Sequence, residues 1–274
     1  MLRFAVVTDI HYGFDRGYRL GSKAPQVMDD FVKAANDYGP DFVVELGDRI
    51  SAKNKKEDEA NMKALKAHFN KISAPTYSVI GNNDLRTLTR KDNETITGCP
   101  QETSYGEDIN GYRLLFWNPN VNTDAPSGLT MENDDLDWLK NELSSTDKPI
   151  VLFSHIPLDN TPEDNEEAEK WDGAPFRSYY PEAQKIRDII EQAGNVILCM
   201  AGHKHTNRHR QYGETHFVVH QSLMQATTKE RTESRNAYSF IEIEDDTIKI
   251  IGHGHKQPSH ELKINQKNTP DFNI

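Results

Sequence analysis

Seven side chains able to bind a metal stand at the ends of five short apolar runs. RFAVVT leads into Asp9 and His11, DFVVELG into Asp48, TYSVIG into Asn82, PIVLFS into His155, and NVILCMAG into His203 and His205. In an open α/β sheet the loops after the carboxyl ends of the strands converge on one crevice, so donors placed there meet. Asp9 and His11 are two residues apart on an extended segment and share a side. Asp48 has two carboxylate oxygens and can bridge two ions. Asn82 adds a weak neutral amide oxygen, and His155, His203 and His205 add imidazoles. Singly each is a weak signal, because an Asp can cap a turn and a lone His is commonly structural. Together, in this order, they predict a site for more than one ion. Mixed imidazole and carboxylate ligation suits Mn, Fe, Zn or Co rather than Mg or Ca.

The elements that must position these donors follow from periodicity. Residues 2–8, 42–46 and 76–80 read as buried strands, and residues 25–38 and 57–72 as the helices between them. Pro25 opens the first helix and Gly39-Pro40 stops it. This β-α-β-α-β order predicts a mostly parallel sheet with helices outside. A strand over 112–117 pairs through the Asn110-Gly111 turn with residues near 103–106. Helix 133–144, strand 150–154, helix 181–192 and strand 196–201 repeat the alternation. Residues 216–219, 237–244 and 247–251 read as antiparallel strands. Residues 86–104 read as a polar loop. Residues 158–180, acidic and carrying Trp171, Tyr179 and Tyr180, read as a lid insertion. One domain over 1–255 is expected, with a polar tail over 256–274.

The 274 residues carry a net charge of −11, which argues against a nucleic-acid or anionic-membrane partner. Bound divalent cations would still make an acidic protein attractive to a small anion. Cys99 and Cys199 do not form a disulfide framework. Neither a secretory signal nor a run of membrane-spanning length is visible, so a cytoplasmic location is expected.

The ordered set Asp9-x-His11, Gly47-Asp48, Gly81-Asn82-x-Asp84, His155 and Gly202-His203-x-His205 resembles the calcineurin-like metallophosphoesterases. The resemblance spans residues 1 to about 255. In size and layout the chain is most similar to the bacterial class III phosphodiesterases and glycerophosphodiesterases. The resemblance implies an α/β fold, a four-layer α/β/β/α sandwich, with a binuclear site. It implies that Asp9, His11, Asp48 and His205 hold one metal, that Asp48, Asn82, His155 and His203 hold the other, and that Asp48 bridges. Two ions about 3.5–4 Å apart would acidify a shared water, and the resulting hydroxide would attack phosphorus in line.

One motif position departs from that pattern. The family usually has a histidine after the Asn, where this chain has Asn83. An amide donates a hydrogen bond but transfers no proton. Loss of a general acid costs about 10²–10⁴-fold for a poor leaving group. Another acid, with His209, His216 and His220 as candidates, or a substrate whose leaving group needs no proton would compensate. Gly252-His253-Gly254-His255 duplicates the ligand motif but follows an antiparallel hairpin, so strand context favours His203 and His205. Arg49, beside Asp48, is a candidate for the substrate phosphate, as is Arg86 with less support. Asp84 is expected to support the ligands.

These residues predict a binuclear hydrolase of phosphate esters, first of all a phosphodiesterase acting on a cyclic nucleotide or glycerophosphodiester. A phosphomonoesterase or nucleotide diphosphate hydrolase is the second reading. A metal-binding scaffold with reduced catalysis is the non-enzyme alternative. A small phosphate ester is the expected partner.

Overall fold

The computed structural model describes residues 1–125, 127–164 and 177–264. Two six-stranded sheets stack face to face, with helices on both outer surfaces. The first sheet has the order β12-β11-β10-β1-β2-β3, formed by His260–Lys263, Thr247–His253, Tyr238–Glu244, Leu2–Val7, Phe42–Glu45 and Thr76–Ser78. The second has the order β4-β5-β6-β7-β9-β8, formed by Tyr105–Ile109, Tyr112–Phe116, Ile150–Phe153, Val196–Ala201, Thr215–Val219 and Arg208–Tyr212. Within the first, β1, β2 and β3 are parallel. Within the second, β5, β6, β7 and β9 are parallel.

The layering follows from which faces are apolar. Strands buried on both faces read as continuous Val, Ile, Leu and Phe runs. Phe4, Phe42, Phe116 and Phe153 meet between the sheets, with Phe4 stacked on Phe42 at 4.8 Å and Phe116 on Phe153 at 5.2 Å. Ala5, Val7 and Val43 face the other way, onto Met28 and Phe31 of α1 (Ala24–Tyr38) and Leu65 and Phe69 of α2 (Lys55–Phe69). Leu115, Leu152 and Cys199 face α4 (Asn133–Ser144) and α5 (Ala183–Ala193) through Leu139, Ile186 and Ile190. The result is the four-layer α/β/β/α sandwich.

Four expectations change. Residues 86–104 hold a helix, α3 (Arg90–Thr97), whose Thr89 and Asp92 form a reciprocal capping box before Gly98 ends it. Strand β9 pairs parallel to β7 and is antiparallel only to β8, which the sequence reading left unassigned. β8 reads RHRQY and is only partly buried, so it carries no apolar alternation. Strand β12 lies past residue 255 and extends the first sheet on β11. The middle of the expected lid, 165–176 with Trp171, lies outside the described residues, as does 265–274 of the expected tail. Cys99 and Cys199 are free and buried, and among the described residues no helix is long and apolar enough to cross a membrane.

Candidate metal centre

Strands β1, β2 and β3 end on Asp9, Asp48 and Asn82, while β6 and β7 end on His155 and His203, so the two sheets deliver donors to one crest. Asp9 Oδ1 lies 3.1 Å from His205 Nε2 and 3.8 Å from His11 Nε2. Those two imidazole nitrogens face each other at 3.0 Å. Asp48 stands between two groups of donors. Its Oδ2 is 3.8 Å from His11 Nε2 and its Oδ1 is 3.4 Å from His155 Nε2. Asn82 Oδ1 is 3.1 Å from His155 Nε2 and 3.0 Å from His203 Nδ1. Ligand atoms of Asp9, His11, Asp48 and His205 lie within 4.8 Å of one another, as do those of Asp48, His155 and His203.

The backbone is distorted to achieve this. Asp9, His11, Asp48, His203 and His205 all have positive φ, between 46° and 67°, a region costly for side chains other than glycine and common at functional sites. Glycine is required where these turns touch. A Cβ on Gly81 would lie 2.0 Å from the Asp48 amide nitrogen, and one on Gly202 would lie 2.5 Å from Asp9 Oδ2.

The donors fit divalent cations. Each imidazole has one nitrogen directed at an outer acceptor. His155 Nδ1 donates to Leu46 O at 2.7 Å, His205 Nδ1 to Gln225 Oε1 at 2.9 Å, and His203 Nε2 to Arg177 O at 3.0 Å, while His11 Nδ1 lies 3.5 Å from Ile50 O. That leaves the inner nitrogens as lone pairs aimed at one another and at carboxylates, the arrangement a cation resolves. Burial pushes His11 well below the usual imidazole range, with the Arg19 charge the next contribution, and burial does the same to His203. Burial works against ionising Asp9, but the charge and hydrogen bond of His205 lead the contributions that more than offset it and hold its carboxyl well below the usual range. A neutral His11 and His203 beside an ionised Asp9 are protonation states that metals bind.

The model of the calcineurin-like phosphoesterase family matches residues 2–207. The chain belongs to that family. It is 22% identical to a manganese-dependent ADP-ribose/CDP-alcohol diphosphatase of Arabidopsis thaliana, over 92% of this chain and 94% of the relative. It is 24% identical to a protein of the same name from Oryza sativa subsp. japonica, over 92% and 91%. A dimetal phosphatase from Danio rerio superposes with a TM-score of 0.76 at 13% identity, covering 96% of this chain and 99% of that one, which supports the fold. As a calcineurin-like phosphoesterase the chain is a metal-dependent phosphoester hydrolase whose fold carries a binuclear site.

Within this phosphoesterase, other candidate residues lie elsewhere. Arg49 does not face the donors. It is 2% exposed, and its guanidinium reaches Glu45 Oε2 at 3.1 Å, Asp84 Oδ2 at 3.0 Å and Gln101 Oε1 at 3.1 Å, behind the loop. A residue next to Asp48 points the opposite way because the chain turns sharply there. Asp84 is the hub of that rear network, accepting from the backbone N–H groups of Asp48, Arg49 and Gly81 at 3.1, 2.8 and 3.0 Å. It thereby ties the Asp48 loop to the Asn82 loop. Arg86 pairs with Asp124 at 3.1 Å. Asn83 is buried and donates to Asp48 from both its backbone N–H (2.8 Å) and its Nδ2 (2.5 Å).

The rings of the three substitute acids are bonded to other groups and not to the donors. His209 Nε2 and His216 Nδ1 meet at 3.1 Å on the edge of the second sheet. His220 is buried with Nδ1 on Gln221 O and Nε2 on Ser239 Oγ, and burial pushes it down to about 4, so it is neutral at pH 7. His253 stacks on Tyr238 at 4.9 Å, and His255 caps a loop through its backbone, donating to Arg235 O. Sequence reasoning missed Gln225, Ser222 and Thr8. Ser222 Oγ donates to Asp9 O and Thr8 Oγ1 to Asp9 Oδ2 at 2.7 Å. No motif marks them.

Proposed function

We propose that this phosphoesterase is a manganese-dependent hydrolase of nucleoside diphosphate-linked substrates, cleaving the phosphoanhydride into two phosphomonoesters. Asp9, His11, Asp48 and His205 are assigned to one cation, and Asp48, Asn82, His155 and His203 to the other, with Asp48 shared. Cations bound there supply Lewis acidity and a water of lowered pKa. The names of the Arabidopsis and rice relatives favour a diphosphate over the small diester that ranks first on sequence alone.

The observation that carries the reading is Asn83. Its backbone N–H and one amide N–H are both given to Asp48, so it orients the shared carboxylate, and as an amide it supplies no proton. None of the rings of His209, His216 and His220 bonds to the donors. An alkoxide leaving group would be stranded by that arrangement. A phosphomonoester leaving group would not, because its second ionisation lies near pH 6, at about the value of a phosphorylated side chain. The chain's own contribution is then placement: outer acceptors fix the imidazole tautomers, and Asp84 holds the two ligand loops together.

The test is a comparison of kcat/KM on ADP-ribose, a CDP-alcohol, bis-p-nitrophenyl phosphate and p-nitrophenyl phosphate with Mn²⁺. The diphosphates should lead, with a nucleoside monophosphate as product. Faster turnover of bis-p-nitrophenyl phosphate would restore the phosphodiesterase reading. Absence of Mn²⁺-stimulated turnover on all four would favour the scaffold.

A further inference from the structure

The loop between β1 and α1 folds back over the donors. Gly13 N–H donates to Gly21 O, and Ser51 Oγ donates to His11 O at 2.6 Å. A Cβ on Gly21 would lie 2.2 Å from His11 O, so this loop is pressed directly on a ligand-bearing segment. Its outer edge is tied to a second loop. Leu20 N–H donates to Met224 O at 2.9 Å, Ala226 N–H donates to Tyr18 O at 2.7 Å, and Arg19 forms an isolated antiparallel bridge with Gln225. Gln225 in turn holds His205 by its side chain. Arg19 is therefore fixed at the lip of the centre, one backbone pairing from a residue that orients a donor histidine.

Its guanidinium is uncommitted by comparison with its neighbours. Arg49 is locked to Glu45 and Asp84, Arg208 and Arg210 to Asp159 and Asp164, and Arg235 to His205 O and Gln221 Oε1. Arg19 is partly exposed, and no carboxylate pairs with it among the described residues. A planar cation with spare donors at the rim of a dimetal site, in a chain of net charge −11, suits an incoming phosphate, which a guanidinium fork can bind through two parallel hydrogen bonds.

We propose that Arg19 binds the non-reacting phosphate of the substrate and so presents the other phosphorus to the donor cluster. This rests on the diphosphate reading, since a substrate with one phosphate leaves Arg19 nothing to bind. It makes Arg19 the discriminator between diphosphates and simple esters on this scaffold.

The experiment uses the full chain with Mn²⁺, as wild type, Arg19→Ala and Arg19→Lys, each checked by thermal melting. The ratio of kcat/KM for ADP-ribose to that for bis-p-nitrophenyl phosphate should fall on the order of 10–100-fold in Arg19→Ala, chiefly through KM. Arg19→Lys should lie between, because it keeps the charge and loses the fork. Calorimetric binding of α,β-methylene-ADP should weaken in step. An equal loss on both substrates, or no change in the ratio, overturns the assignment while leaving the function intact. A wild type that prefers bis-p-nitrophenyl phosphate overturns both.

Discussion

Two clusters of buried charge lie back to back across the Gly47–Asp48–Arg49 turn. On the front, Asp9, His11, Asp48, His155, His203 and His205 point lone pairs at each other, and among the described residues no Lys or Arg forms an ion pair with them. On the rear, Glu45 and Asp84 close on one arginine, Arg49, and the Gly47 and Gly81 N–H groups complete the set. Burial raises both rear carboxyls, while the Arg49 charge opposes that rise. The rear cluster is balanced by the chain itself, whereas the front one is built to be balanced by something bound. The difference teaches that burial and charge alone do not mark a functional site, and that unfilled acceptor capacity does.

The first way to break this comparison gives the largest effect. Asp48→Asn should lower Mn²⁺-dependent turnover by more than about 10³-fold, because several kcal/mol of charge stabilisation depend on both ions. Calorimetry should show fewer than two bound Mn²⁺. The metal-free protein should melt no lower than wild type, since repulsion in the front cluster is relieved. Near-normal turnover would refute the shared role of Asp48. The rear neighbour should behave in reverse. Arg49→Met strands two buried carboxylates and should cost about 3–5 kcal/mol of stability, read by urea unfolding of the metal-free chain. Turnover per folded molecule should change far less than in Asp48→Asn. A stable variant with lost activity would move Arg49 to the front.

The same contrast shows what the sequence made legible. Asp9, Asp48, Asn82, His155 and His203 each follow an apolar strand run, so strand position and residue type sufficed to foresee that they come together. The two copies of Gly-His-x-His were separable for the same reason: Gly202 ends the parallel strand β7, while Gly252 sits inside the antiparallel strand β11. Side-chain direction was not legible. Arg49 adjoins a residue at φ 58°, and no periodicity survives such a turn. Strand β8 was hidden by its charge, and α3 by its brevity, although its Thr-x-x-Asp box was there to be read.

Support for the front cluster from outside the motifs gives a smaller effect. Gln225→Ala frees His205 Nδ1 and should weaken Mn²⁺ binding about 10–100-fold, with the fold unchanged by circular dichroism. Unaltered affinity would mean that the hydrogen bond does not orient the ring. His255→Ala, in the second motif copy, should leave Mn²⁺ stoichiometry at two, whereas loss of an ion would reopen the choice between copies.

The smallest expected change is the most selective. Asn83→His restores a side chain that can carry a proton to a position now spent on Asp48. With an alkyl phosphodiester, whose leaving oxygen needs that proton, turnover should rise toward part of the 10²–10⁴-fold that a general acid supplies, about tenfold as a first expectation. With ADP-ribose it should not rise, because a phosphomonoester departs as a stable anion near neutral pH. The sign of the two responses is the point. An equal gain on both substrates would mean that protonation limits the native reaction, and the diphosphate reading would lose its chemical basis. A gain on the ester alone would show that the front cluster is tuned to leaving groups that carry their own charge away.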